Sequence, residues 1–69
     1  MMSLEMVLGY FEAGYAVYFG SYYGESKMES HEEIVDEWES AEEDDWLYVE
    51  SVDVDEKAHE VHVFVGDDE

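Results

Sequence analysis

The chain has 69 residues, with 21 carboxylates against two lysines and no arginine, for a formal net charge of −19. That length allows one domain, which buries only about 60% of its unfolded surface, and the absence of cysteine excludes disulfides and thiolate metal sites. Hydrophobic residues at 46% and aromatics at 16% exclude a disordered acidic tail, while the charge excludes nucleic acid and anionic lipid as direct partners.

Ser3 can cap a first helix whose residues Leu4, Val7, Leu8 and Phe11 recur at i, i+3, i+4 and i+7. Glu5 sits in the first turn, where the helix dipole favours an anion. Gly9 is a weak point, costing up to about 1 kcal/mol relative to alanine, and Gly14 reads as the left-handed residue that ends the helix. Tyr15 to Tyr23 is dense in β-formers and predicts a first strand, apolar on both faces and therefore central. A single helix from Ser3 to Tyr22 is the competing reading, opposed by Gly14 and Gly20. Gly24 to Glu29 reads as a polar connection.

Ser30-His31-Glu32-Glu33 fits a capping box and opens a second helix over His31–Glu42. Ile34, Val35, Trp38 and Ala41 form its narrow apolar stripe. Asp44 and Asp45 break it. Two further strands are expected over 46–54 and 58–65, turning at Asp55-Glu56-Lys57-Ala58. Pairing Val54 with His59 sets Val52 opposite Val61, Glu50 opposite Val63 and Tyr48 opposite Val65, which gathers the valines on one face. Leu47, Val49 and Phe64 then fall on the other face, and residues 66–69 read as a solvated tail. The expectation is one α+β domain over residues 1–69 in the order α-β-α-β-β, a three-stranded sheet with two helices on one face. The opposite sheet face should be partly aromatic and open. The first apolar stretch is broken by Glu5 and Glu12 and has no basic flank, so no signal peptide is expected. No run of about 18 apolar residues reads as a membrane span.

The strongest constellation is a set of carboxylates. Glu32, Asp36, Glu39 and Glu43 lie at i, i+4, i+7 and i+11 on one ridge of the second helix, with Glu33 and Glu37 in a shorter row beside them. Successive rises are about 4.5–6 Å, a pitch comparable to that of phosphates along a DNA strand. Asp53, Asp55, Glu56 and Glu60 add a second group on the hairpin. A solvated face is the ordinary reading of such charge. Here, however, like charges four residues apart destabilise a helix by about 0.2–0.5 kcal/mol per pair, and no interspersed cation relieves them. A salt-adapted origin is the alternative. It fits less well with fourteen glutamates against seven aspartates and no arginine.

His59 and His62 are three apart on a strand and point to opposite faces, and His31 is remote from both, so no metal site is expected. The acid runs lack the glycine-containing calcium loop, and no cofactor is implied. With 21 acids, pairs at glycosidase spacing arise by number alone, and no serine lies in a nucleophile elbow. The chain is not expected to be an enzyme. Tyr15, Tyr18, Tyr22 and Tyr23 divide between core and surface, and any exposed ones suit a protein interface.

A short, cysteine-free, strongly acidic chain with a folded aromatic core resembles the DNA-mimic inhibitors of phages and mobile elements. Small acidic α/β anti-CRISPR proteins acting on type I effector complexes are the most similar in size and layout. The resemblance is one of composition and carries no diagnostic motif. It implies a stoichiometric inhibitor, monomeric and cytoplasmic in an infected bacterial host, that occupies the basic DNA-binding surface of a defence complex. An anti-restriction protein or an inhibitor of uracil-DNA glycosylase is the alternative within the same class. A small interaction domain of a halophile, with no mimic role, is the alternative outside it.

Overall fold

Six elements, not five, follow one another in the computed structural model, which describes residues 3–44 and 46–67. They are α1 (Leu4–Glu12), β1 (Ala16–Ser21), β2 (Gly24–Lys27), α2 (His31–Glu43), β3 (Leu47–Asp55) and β4 (Glu60–Asp67). The protein is α+β, but its sheet has four strands in the order β2-β1-β4-β3. β1 and β4 run parallel, and the two outer pairs are antiparallel. β1 lies inside the sheet between β2 and β4, as expected, but the helices cover only one of its faces.

The added strand corrects the reading of 24–29 as a connection. Its sequence, Gly-Glu-Ser-Lys, is exposed at every position, so it has no hydrophobic alternation by which to be recognised. Backbone pairing with β1, from Tyr18 opposite Lys27 to Ser21 opposite Gly24, holds it in place. The stretch expected as one strand to Tyr23 therefore stops at Ser21, and Tyr22-Tyr23 form a two-residue turn. Gly24, at φ +135°, takes the backbone conformation that a side chain would resist.

Both helices end as their sequences direct. The Ser3 hydroxyl accepts the Met6 N–H, and at the other end of α1 the N–H groups of Gly14 and Tyr15 reach the carbonyls of Phe11 and Tyr10. With Gly14 at φ +100°, this is a Schellman closure. At α2 the Ser30 hydroxyl accepts the Glu33 N–H at 3.2 Å. The Glu33 carboxylate reaches back to the N–H of Glu29 at 2.8 Å, one residue earlier than a standard capping box. Asp44 caps the C-terminus; Asp45 lies outside the described residues.

The core gathers Val17 and Phe19 from β1, Val61 and Val63 from β4, and Val49 from β3. Val7 of α1 and Ile34, Trp38 and Ala41 of α2 close over them, so both helices cover one sheet face. Burying each large aliphatic side chain contributes about 1.5–3 kcal/mol. Met28, between β2 and α2, is also buried.

The hairpin differs from its expected register. Its loop spans Glu56–His59, one residue later than predicted, because the Asp55 carboxylate accepts the N–H groups of Lys57 and Ala58. Val54 therefore pairs with Val61 and Val52 with Val63, and the register slips between Val49 and Ser51. An unbroken strand would turn Glu50 inward, and burying a carboxylate without a partner is expensive. The bulge instead keeps Glu50 exposed and brings Leu47 and Val49 to the core side, the reverse of the expected placement. Gly66 is not part of a tail. It is buried opposite Tyr48, whose ring covers it so closely that an added Cβ would lie 2.6 Å from Cζ. Asp68 and Glu69 lie outside the described residues. Among the described residues, no helix is long and apolar enough to cross a membrane.

Candidate functional site

α2 is held to the sheet by Ile34, Trp38 and Ala41, and the Trp38 indole N–H donates to Glu42 at 2.7 Å. That stripe fixes the rotation of the helix and turns Glu32, Glu33, Asp36, Glu37, Glu39 and Glu43 into solvent, all exposed. From Glu32 to Glu43 the axial rise is about 16 Å, or one charge per about 3 Å. A DNA strand presents one phosphate per about 3.4 Å of axis. None of these six pairs with a cation among the described residues; the salt bridges found there are contacts of His31 with Glu12 and of His62 with Glu25 and Glu60. The first-turn acids Glu32 and Glu33 complement the helix dipole. The last turn has no basic residue and ends in Glu42 and Glu43, against the dipole.

The hairpin carboxylates occupy a different surface. Asp53 and Glu60 register with the strand positions that face away from the helices, as does Asp55, and Glu56 lies in the turn. Asp55 is engaged in holding that turn, and Glu60 accepts from His62 Nε2 at 3.1 Å. The fold thus separates the two predicted acid groups, one on the helix layer and one on the open sheet face. It also sorts the lysines and histidines. Lys27, His62, Lys57 and His59 all lie on the open face or in the hairpin turn, leaving α2 with His31 alone at its start.

His62 is the most organised polar group on the open face. Its Nδ1 meets Glu25 at 2.7 Å while Nε2 meets Glu60, and its ring stacks on Tyr18 at 5.0 Å with planes 8° apart. The Glu25 hydrogen bond holds its pKa above the usual histidine value; partial burial opposes this, and Glu60 reinforces it. Carboxylates on opposite ring nitrogens do not converge on a common point. Among the described residues no group of three or more His, Asp or Glu side chains is placed to hold a metal ion. Sequence reading missed Glu25 because only the β2 pairing carries it to a histidine 37 residues away.

The third feature is aromatic. Tyr22, Tyr23, Trp46 and Tyr48 are all exposed, the two turn tyrosines by 81% and 92%. All four lie at the end of the sheet where β1 and β4 finish and β2 and β3 begin. Beside them a cleft of about 300 Å³ opens between the Tyr22-Tyr23 turn, the second half of α2 and the start of β3. Comparison with protein-family models, curated proteins and solved structures finds no match for this chain.

Proposed function

We propose that this protein is a stoichiometric inhibitor whose acidic surface stands in for DNA and occupies the basic DNA-binding site of another protein. The observation that supports it most is the carboxylate ladder of α2. Six exposed acids at nearly the linear charge density of a DNA strand lack a cationic partner among the described residues and run on into a helix end where the dipole disfavours them. Glu32 and Glu33 serve the start of the helix, but the fold gains nothing from Asp36, Glu37, Glu39 and Glu43. A surface lined with lysine and arginine to neutralise phosphates would gain from them, and steering by the net charge of −19 would speed the encounter. Within this reading the narrower role is an anti-CRISPR protein acting on a type I effector complex in the cytoplasm of an infected bacterial host. The inhibitor binds there as a monomer with no cofactor.

The test is charge reversal on the ladder. Asp36→Lys with Glu39→Lys should leave the circular dichroism spectrum unchanged, because both side chains point into solvent. It should relieve competition with DNA for the effector complex by at least about tenfold, as expected for losing charge-assisted contacts at a desolvated interface. Undiminished competition by the double variant would overturn the assignment to α2. Collapse of the unmodified protein in dilute buffer would instead favour a salt-adapted domain.

A further inference from the structure

We propose that the cleft at the aromatic end of the sheet receives an arginine side chain of the basic partner, and that α2 with this end, not the β3–β4 hairpin, forms the interface. This rests on the reading of the protein as a ligand for a basic site, and names the contact that gives that site its specificity.

Three independent observations converge. The first is the turn itself. Gly24 supplies the positive φ that the turn needs, which leaves the side chains at Tyr22 and Tyr23 free of that demand, and these are exposed by 81% and 92%. Tyr22 is steadied edge-on by Phe64 at 5.7 Å. The Tyr23 ring is nearly free of the fold, so folding does not account for it. Aromatic side chains presented in this way are typical anchors of protein interfaces.

The second is the chemistry of the cleft. Its lining includes the apolar side chains of buried Phe19 and Ala41 and half-buried Leu47 and Val65, together with exposed Glu37 and Ser40. An apolar lining beside a carboxylate suits a long side chain whose methylene stem is buried while its charged head stays at the mouth. A planar guanidinium fits better than an ammonium, because it can stack on a tyrosine face while forking to a carboxylate.

The third is continuity of charge. Glu33 and Glu37 form one row on α2, and Glu37 belongs to the cleft. The ladder therefore runs directly into the aromatic end. The hairpin tip lies at the opposite end of the sheet, where Glu60 opens β4 beside Ala16, and its acids share that surface with Lys57 and His62.

The probes are hexa-arginine and hexa-lysine peptides, matched in charge, titrated into the full chain and followed by NMR and calorimetry. Hexa-arginine should bind more tightly than hexa-lysine, with the largest shifts at Tyr22, Tyr23, Ser40 and Ala41. Tyr23→Ala should weaken hexa-arginine binding roughly two- to fivefold, the size of an exposed cation–π contact, and shrink the preference over lysine. Glu37→Gln should weaken it more than Asp53→Asn, which removes the same charge from the hairpin face. Equal affinity for both peptides, or shifts centred on Asp53 to Glu60, would overturn the proposal. The DNA-competition assay separates the two claims. Loss of competition on α2 charge reversal with no arginine preference sinks the cleft and leaves the mimic. An arginine preference in a protein that never competes with DNA does the opposite.

Discussion

At the scale of single residues, His62 shows how an acidic surface is made tolerable. Its ring bridges Glu25 and Glu60 on the open sheet face, and when protonated it offsets the repulsion of the net charge there. A histidine whose folded pKa lies above its unfolded value of about 6.5 stabilises fully below that value and loses the contribution as pH rises through the folded pKa. The side chain is about one-third exposed, so solvent screens the effect. An NMR titration should place the His62 midpoint above 6.5, and Glu25→Gln should lower it. The same substitution should flatten the decline of the urea midpoint between slightly acidic and slightly alkaline pH. A midpoint unmoved by Glu25→Gln would show that the bridge does not hold the charge. Gly66 makes a second point at this scale. Its lack of a side chain lets the Tyr48 ring lie over the strand, a role no local pattern announces.

At the scale of elements, the two helices meet opposite demands. α1 carries a defect that nothing in the fold uses: an added Cβ at Gly9 meets no atom within 4 Å. Gly9→Ala should therefore stabilise the protein by about 0.5–1 kcal/mol in urea unfolding, the difference in helix propensity. α2 carries a cost that the proposed binding role would explain. Glu43→Lys places a cation at the C-terminal end of the dipole and relieves repulsion from Glu39, so it should stabilise by about 0.3–1 kcal/mol. The same change should weaken competition with DNA. A variant more stable and equally inhibitory would show that the last acid of the ladder plays no part. The capping of both helices by Ser3 and Ser30 was legible in the sequence because caps are written in adjacent residues. β2 was not legible, because a four-residue edge strand exposed at every position has no hydrophobic alternation to mark it.

At the scale of the whole molecule, the distribution of charge matters more than its total. Both lysines lie on the hairpin or the open sheet face, so the helix layer is the more negative side. If that layer engages a basic site, affinity should fall steeply with salt, while circular dichroism should be the same in dilute and molar salt. A fold that forms only in molar salt would point to a salt-adapted domain and away from mimicry. The hairpin acids, grouped with those of α2 on charge alone, belong to another surface once the sheet is assembled. A flat partner cannot contact both.

Composition, helix caps and the apolar stripe of α2 were settled by the sequence alone, since each depends on residues within a turn or two of one another. The α+β class and the central position of β1 followed from the same local patterns. Only the tertiary structure decided the fourth strand, the hairpin register, the Glu25–His62 contact and the aromatic cleft. The last two join residues far apart in the chain, while β2 and the hairpin join neighbouring segments whose local patterns leave the pairing open. Pairing there is chosen by which side chains the whole core can bury, and a bulge at Glu50 can invert the face of a strand without changing a single local preference.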